Sequence, residues 1–136
     1  MPFDFIRLVP RRTRIVIKRD QNCVFCEIIE GTARGRIHYQ DDDLIVFDNQ
    51  LHGVWVPVML LVVPKKHYTQ EEFWTSAEFG AAAKIAIEMG KEYCPNGFRL
   101  VTNVGQQAMQ SQSHAHIHVI GGTRLGMYAY GPVPFV

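Results

Sequence analysis

The sequence predicts an α+β fold: a mostly antiparallel, five-stranded sheet with one long helix and one or two short helices. Two observations support this fold class. After a short opening helix, the predicted elements follow the order β-β-β-α-β-β, and the early strands are joined by hairpin-like connections. One long stretch between the third and fourth strands carries helical periodicity.

The first half of the domain alternates short helical, strand and turn signals. Cys23–Gly31 is predicted as a short helix, because its apolar residues share one face and Gly31 suits a left-handed cap. Arg36–Gln40 and Leu44–Asp48 are predicted strands, and the three aspartates between them are typical of a turn. Asn49–Pro57 is predicted as a loop.

The second half begins with a predicted buried strand at Val58–Val63. The strongest helical signal runs from Thr75 to Tyr93, where small and apolar residues recur with helical spacing. Thr75 and Glu78 match the pattern of a capping box at the start of this helix. Two further strands complete the sheet, at Phe98–Thr102 and Ser113–Ile120.

Length and composition limit the class of protein. The chain has 136 residues, which suits one domain, and 47% of them are hydrophobic, which excludes wholesale disorder. No apolar run reaches the roughly 18–20 residues that cross a bilayer, so no membrane partner is expected. Three cysteines argue against a disulfide framework, and a cytoplasmic location is therefore predicted.

Charge divides the chain into a basic N-terminal extension, residues 1–22, and a folded domain, residues 23–136. The extension holds six Lys and Arg against two Asp, whereas the whole chain carries a net charge of only +1. Two interpretations of the extension stay open: a solvated arm, or an arm that clasps a second copy or touches nucleic acid. Because the overall charge is nearly balanced, nucleic acid is not the expected partner.

Three histidines at alternate positions form the strongest chemical signal of the sequence: His114, His116 and His118. Side chains alternate between the two faces of a strand, so all three imidazoles are predicted on one face. A single histidine in a strand is ordinarily structural, but three in register point to chemistry. Two kinds of chemistry stay open: a metal site of the His-x-His type, and a neutral imidazole that attacks phosphorus.

At this point the sequence resembles the histidine triad (HIT) superfamily, and its Hint branch in particular. The resemblance covers roughly residues 22–122. It rests on the histidine pattern after Gln110-Ser111, the opening Cys23–Gly31, the segment Leu61–His67, the pair Asn103 and Gly105, and the glycines Gly121-Gly122.

The resemblance implies a hydrolase or transferase that acts on nucleoside phosphates. His116 would attack the α-phosphorus and form a nucleotidyl-histidine intermediate, while His118 and Ser111 would bind and polarise the phosphate. The implied substrate-binding residues are Asn49 or its neighbour Asp48 at the ribose, with Asn103, Gly105 and Gln110 near the phosphate. The implied substrates are phosphoramidates or dinucleoside polyphosphates, the implied partners are a purine nucleotide and a second copy of the chain in a homodimer, and no organic cofactor is expected.

The pair Cys23 and Cys26 is by itself compatible with a redox pair, a zinc site or two small core residues. The resemblance implies zinc, since in one class of the family such a pair joins two histidines, here His67 and His114. Two cysteines and two histidines suit a closed, structural zinc site. In that case His114 is committed to the metal, and the metal braces the segment that carries His116.

Three departures from the family pattern leave two alternative functions open. Met59 stands where the family commonly has a histidine, and the connection between Asn49 and Pro64 is about two residues longer than usual. Met109 stands where the family has a glycine, which can take backbone angles that methionine disfavours. The alternatives are a purine-nucleotide-binding module with little catalysis, and a metalloenzyme in which the three histidines are the ligands.

Overall fold

The computed structural model describes residues 22–127. The predicted basic extension lies outside the described residues except for Asn22, and so do the last nine residues of the predicted domain. The elements are α1 Val24–Glu30, β1 Ile37–Gln40, β2 Leu44–Asp48, β3 Val58–Pro64, α2 Gln70–Trp74, α3 Phe79–Tyr93, β4 Phe98–Val101 and β5 Ile117–Gly121, with a single 3₁₀ turn at Gln106–Ala108.

The five strands form one antiparallel sheet in the order β1-β2-β3-β5-β4. β3 is the central strand and all but its first residue are buried, which explains its continuous apolar sequence. One row of paired residues crosses the sheet from Asp48 on β2 to Leu60 on β3 and Val119 on β5. The predicted fold class, including one long and two short helices, is confirmed.

The two faces of the sheet bury separate hydrophobic clusters. On one face α3 packs Ala82 and Ala86 against Leu60 and Val119. On the other face, α1 packs against the side chains of Ile45, Phe47, Leu61 and Val63. Each large apolar side chain that is fully buried stabilises the fold by about 1.5–3 kcal/mol. The predicted alternation of the histidine segment is confirmed, because Ala115, Ile117 and Val119 lie in the α3 cluster.

The helix α1 forms as the sequence predicts. The Cys23 sulfur accepts a hydrogen bond from the backbone N–H of Cys26 and so caps the first turn. Gly31 ends the helix in the left-handed region, with φ of 83°. This conformation costs glycine little, since it has no Cβ.

The prediction of a helix from Thr75 to Tyr93 is wrong at its start, because α3 begins only at Phe79 and Thr75 follows the end of a separate short helix, α2. The capping box belongs to Thr69 and Glu72 at the start of α2. Thr75 instead ends α2, and its hydroxyl donates to the carbonyls of the preceding turn. Glu78 is the N-cap residue of α3, but its carboxylate accepts from the Tyr68 hydroxyl and makes no capping bond.

The last strand is shorter than predicted. Regular pairing of β5 begins at Ile117, so His114 and His116 lie in the segment that leads into the strand. Among the described residues, the buried polar or charged side chains are Gln70, His114 and His116. A buried polar group must have a partner, and the partners of these three define the site.

Candidate functional site

A cavity of about 900 Å³ lies on the α1 face of the sheet. Its wall includes five of the predicted catalytic and substrate-binding residues: His118, Ser111, Asn103, Asp48 and Asn49. Gly105 and Gln110, which the resemblance places at the substrate, do not line it. His116 is not in the wall either. Its ring lies directly beside the ring of His118, with 4.9 Å between their centroids.

His116 is held on every side of its backbone and ring. Its N–H donates to Gln70 Oε1 at 3.1 Å, and its carbonyl accepts from Thr102 Oγ1 at 3.0 Å. Its Nδ1 lies 2.8 Å from the His114 carbonyl oxygen. A carbonyl can only accept, so Nδ1 carries the proton and Nε2 keeps its lone pair. The backbone therefore selects the tautomer in which Nε2 can act as a nucleophile.

Aromatic packing fixes the orientation of the same ring. The Phe25 ring meets the His116 ring edge to face, with 5.3 Å between centroids and an interplanar angle of 89°. Phe25 also packs against Phe47 on β2, so α1 is fastened between the sheet and the histidine segment. The His116 side chain is only 4% exposed. A ring held this way needs no reorientation before it reacts.

Burial keeps the histidines of the site neutral. It lowers the pKa of His118 to about 4, and the neighbouring His116 contributes in the same direction. Burial also lowers the pKa of His116, although its bond to the His114 carbonyl opposes this shift. At neutral pH both rings are therefore uncharged, as an imidazole nucleophile must be.

Four side chains cluster beside α1: Cys23, Cys26, His67 and His114. Their ligand atoms all lie within 4.8 Å of one another. The Cys26 Sγ lies 3.2 Å from His67 Nδ1, and the Cys23 Sγ lies 3.4 Å from His114 Nδ1. A tetrahedral metal site with two sulfur and two nitrogen ligands has edges of about 3.3–3.8 Å, given the usual zinc bond lengths. These four residues could hold a metal ion.

The tautomer of His114 also suits a metal ligand. Its Nε2 lies 2.7 Å from the Pro64 carbonyl, so Nε2 carries the proton and the Nδ1 lone pair faces the thiols. Burial lowers the pKa of His114 to about 4, which keeps the ring neutral as metal binding requires. Within the described part of the chain, no other such group of three or more potential ligands is found. His116 and His118 are not part of the cluster.

Asp48 and Asn49, the expected ribose-binding pair, already have partners. The Asp48 carboxylate accepts from His38 Nε2 at 2.6 Å. The Asn49 Oδ1 accepts from the backbone N–H of Leu51 at 2.8 Å, which shapes the start of the loop. The backbone N–H of Met59 donates to His52 Nδ1 at 3.0 Å. His52 therefore lies next to Met59, the position where the family pattern has a histidine.

The polar loop after β4 is braced by its own side chains. The Gln110 Oε1 accepts from the Gly105 N–H at 2.9 Å, and its Nε2 donates to the Gln112 carbonyl at 2.8 Å. Gly105 and Gln110 therefore hold the loop, while Ser111 and Gln112 line the cavity. Met109 has φ of 61°, the left-handed conformation that the sequence predicts to be unfavourable there.

Gln70, Phe25 and His38 are site residues that the sequence did not reveal. Gln70 is 1% exposed and links two segments, since its Nε2 donates to the Asn103 carbonyl while its Oε1 accepts from His116. A glutamine at the first position of a short helix gives no sign of a contact with a segment more than 30 residues away. Phe25 and His38 likewise contact residues far away in the sequence, His116 and Tyr93 respectively.

Comparison with known proteins supports the resemblance found in the sequence. A family profile described as HIT domain matches residues 30–125, so the Cys23 and Cys26 pair precedes the matched region. An uncharacterized HIT-like protein of Chlamydia muridarum is 36% identical over 110 residues, which cover 78% of this chain and 86% of that protein.

Solved structures share the fold. A HIT family hydrolase from Legionella pneumophila superposes with a TM-score of 0.68 at 25% identity, covering 78% of this chain and 97% of that one. A zinc-bound histidine triad family protein from Mycobacterium smegmatis reaches a TM-score of 0.63 at 24% identity, covering 83% of this chain and 84% of that one. The predicted HIT-like fold is confirmed. No helix within residues 22–127 is long and apolar enough to cross a membrane.

Proposed function

Because the chain belongs to the HIT domain family, we propose that it is a nucleotide hydrolase or transferase that works through a nucleotidyl-His116 intermediate. The observation that carries the proposal is the state of the His116 ring. Its Nδ1 proton is fixed on the His114 carbonyl, its Nε2 lone pair is free to attack, and its backbone is held by Gln70 and Thr102.

The proposed reaction has two displacements at the α-phosphorus. In the first, His116 Nε2 forms a bond to phosphorus, and the bond from phosphorus to the leaving group breaks. The leaving group departs with the bonding electrons and a proton from the surroundings. In the second, water attacks the same phosphorus and loses a proton, the bond to Nε2 breaks, and a nucleoside monophosphate is released. An acceptor other than water would give transfer in place of hydrolysis.

The polar end of the cavity suits the phosphate. His118, Ser111 and Asn103 line this end and supply groups that can stabilise the oxygens of the transition state. Gly105 and Gln110 would act indirectly, because they brace the loop that carries Ser111. At the middle of the cavity, Asn49 would meet the ribose hydroxyls, whereas the Asp48 carboxylate is bound to His38 on the α3 face of the sheet.

The substrates that fit this chemistry are nucleoside phosphoramidates and dinucleoside polyphosphates. In the first class an amine leaves, and in the second a nucleotide or a phosphate leaves. Apolar side chains of α1 and β2 next to the polar end, including Phe25, Ile28 and Phe47, suit the flat ring of a purine. No organic cofactor is needed for either reaction. The homodimer and the cytoplasmic location stay predictions.

We also propose that Cys23, Cys26, His67 and His114 hold a structural zinc ion. The support is the donor set, the convergence of the four ligand atoms within 4.8 Å of one another and the His114 tautomer. When bound, the ion would tie α1 to the histidine segment. The chain's own residues do the rest: α1 presses Phe25 against the His116 ring and so keeps the nucleophile in place.

The test is a trapped intermediate. Wild-type protein and His116→Ala are mixed with an adenosine or guanosine phosphoramidate and quenched in acid-free denaturant within milliseconds to seconds. Intact-mass spectrometry then seeks the mass of an added nucleotidyl group. We expect the adduct in the wild type and its position at His116 after peptide mapping. We expect His116→Ala to bind a purine nucleotide and to lose turnover.

Two outcomes would contradict the proposal. Unchanged turnover by a folded His116→Ala protein would remove His116 as the nucleophile. Tight nucleotide binding without any adduct or turnover in the wild type would favour the alternative, a nucleotide-binding module with little catalysis. The metalloenzyme alternative predicts loss of bound metal in His116→Ala and His118→Ala, whereas a zinc ion on the four-residue cluster survives both.

A further inference from the structure

A histidine with a carboxylate on one side and a hydroxyl on the other lies on the α3 face of the sheet. Asp48 ends β2 and pairs with Leu60, whose side chain lies in the α3 cluster, so the Asp48 side chain faces α3 as well. There His38 of β1 contacts both Asp48 and Tyr93, the last residue of α3. The proposed reaction at His116 uses none of these contacts.

The hydrogen bonds of His38 fix its tautomer. The Asp48 carboxylate accepts from Nε2 at 2.6 Å, so Nε2 carries the proton and Nδ1 keeps its lone pair. This Nδ1 lies 3.3 Å from the Tyr93 hydroxyl, which donates to it. His52 Nδ1 lies 3.9 Å from the same carboxylate oxygen, but it accepts from the Met59 N–H and so gives Asp48 no proton.

Packing and exposure suit a reaction at the hydroxyl of this trio. The rings of His38 and Tyr93 meet edge to face, with 5.3 Å between centroids and an interplanar angle of 67°. The side chains of His38 and Asp48 are only 10% and 18% exposed, whereas Tyr93 is 39% exposed. The base and its carboxylate are therefore shielded, while a reagent in solvent can reach Tyr93. A nucleophile, its base and a group that orients the base form the same arrangement in enzymes that use covalent catalysis.

The two other tyrosines within residues 22–127 have different partners. The Tyr39 hydroxyl donates to the Asp41 carboxylate at 2.6 Å, and this bond raises the pKa of Tyr39 to about 12. The Tyr68 hydroxyl donates to the Glu78 carboxylate, and burial together with this bond raises the pKa of Tyr68. Both phenols are therefore held in their protonated form. Tyr93 is the one described tyrosine whose hydroxyl faces an imidazole.

We propose that Tyr93 is a site of O-acylation, with His38 as the general base for its hydroxyl. The Tyr93 oxygen forms a bond to the carbonyl carbon of an activated acyl donor, a thioester or a reactive ester, and His38 Nδ1 takes the phenolic proton. The bond from this carbon to the leaving group then breaks. The leaving group keeps the bonding electrons and receives the proton from His38, and an acyl ester of Tyr93 remains.

Asp48 is a positioning residue for this reaction. Its carboxylate holds the His38 ring in the required tautomer and stabilises the imidazolium that forms between the two proton transfers. The same negative charge favours an acyl donor over a phosphoryl donor. The reacting carbon of an acyl group carries no negative charge, whereas the oxygens of a phosphoryl group would be repelled.

The experiment measures the acetylation rate of each tyrosine in the full chain with p-nitrophenyl acetate as the probe. Samples are quenched at intervals, and peptide mass spectrometry assigns the acetyl groups. N-acetyltyrosinamide in the same solution gives the rate of a fully exposed phenol without a base. We expect Tyr93 to react at least about tenfold faster than this reference, since a positioned base ordinarily contributes about a hundredfold or more. Tyr39 and Tyr68 should react more slowly than the reference.

Two variants test the partners of Tyr93, each with a matched control. His38→Gln removes the base and should lower the Tyr93 rate to that of the reference or below. His52→Gln removes a histidine that lies near the same carboxylate but does not bond to Tyr93, and it should leave the rate unchanged. Asp48→Asn should lower the Tyr93 rate because the imidazolium loses its partner, whereas Asp42→Asn, at an exposed position of the β1-β2 turn, should not.

A Tyr93 rate in the wild type that does not exceed the reference overturns the proposal without any variant. Fast acetylation that persists in a folded His38→Gln protein also overturns it, because the rate would then come from exposure alone. Tyr39, the neighbour of His38 in β1, reports the folding of the variant by staying slow. If Tyr39 becomes fast in His38→Gln, then Asp48→Asn decides, and an unchanged Tyr93 rate there overturns the proposal. The readout is the Tyr93 peptide, so the result does not depend on the proposed function.

Discussion

His114 and His118 lie four residues apart in one extended segment, yet they differ in what surrounds them. His114 is fully buried between two thiols and the Pro64 carbonyl. His118 borders the open cavity, and its Nδ1 has no hydrogen-bond partner among the described residues. Burial lowers the pKa of both rings to about 4, so pKa alone does not separate them. The two histidines differ instead in the residues that surround them, and these residues come from distant parts of the chain.

His116 lies between these two environments and is in contact with both. From the His114 side it receives a carbonyl that fixes its tautomer, and on the His118 side it meets the cavity. The four-residue cluster of potential metal ligands and the cavity therefore lie on either side of His116, the proposed nucleophile. A substitution in the cluster should therefore leave the residues of the cavity in place, and a substitution in the cavity should leave the cluster in place.

The largest effect is expected from loss of a thiol at the metal end. Cys23→Ala should lose its zinc and unfold more easily by about 3 kcal/mol or more, since structural zinc contributes roughly 10 kcal/mol or more to the folding of zinc-finger peptides. Elemental analysis of purified protein and urea unfolding measure the two effects. Cys94→Ala is the matched control, because Cys94 is buried at the end of α3 and outside the cluster. A full complement of zinc in Cys23→Ala would refute the metal site.

A smaller effect is expected from Gln70, which holds the backbone of His116 between the cluster and the cavity. Gln70→Met keeps the shape of the side chain but leaves the His116 N–H and the Asn103 carbonyl without their partner. The buried His116 N–H left unpaired costs about 1–3 kcal/mol and the half-buried Asn103 carbonyl about 1 kcal/mol, so the free energy of unfolding should fall by about 2–4 kcal/mol. We expect kcat to fall about tenfold or more because the nucleophile loses its anchor.

The control for this variant is Gln107→Met, which changes an exposed glutamine of the 3₁₀ turn. Zinc content should be normal in both proteins, since Gln70 does not belong to the metal cluster. Stability and kcat that match those of Gln107→Met would show that Gln70 does not anchor the segment. Loss of zinc in Gln70→Met would show that the two ends are not separable.

The sequence predicted those features that depend on local spacing. Alternation placed the three histidines on one side of their segment, and Gly31 marked the end of α1. Contacts between distant segments, such as those of Gln70, could not be predicted from local spacing. The misplaced capping box has a similar cause. Thr69 with Glu72 and Thr75 with Glu78 both match the pattern. Only the first pair forms the box, because α3 begins at Phe79 and the Glu78 carboxylate binds the hydroxyl of Tyr68.

The smallest effect compares backbone strain at the two ends. Met109 in the cavity loop has φ of 61°, and Gly31 at the end of α1 has φ of 83°. An L-residue in the left-handed region costs roughly 1–2 kcal/mol, against which the extra freedom of an unfolded glycine counts about 0.5–1 kcal/mol. Met109→Gly should therefore stabilise the protein by about 0.5–1 kcal/mol, since the Met109 side chain is 75% exposed and contributes little packing.

Gly31→Ala is the opposite substitution, at the end of α1 beside the Cys and His cluster. No atom lies within 4 Å of the position its Cβ would occupy, so the expected loss of about 1 kcal/mol comes from the backbone alone. Urea unfolding of the two variants and the wild type measures both signs in one series. Destabilisation by both substitutions would mean that Met109 makes contacts that outweigh its strain. If Met109→Gly stabilises the protein and Gly31→Ala destabilises it, the backbone strain lies in the loop beside the proposed substrate cavity. It does not lie at the end of α1, beside the proposed metal site.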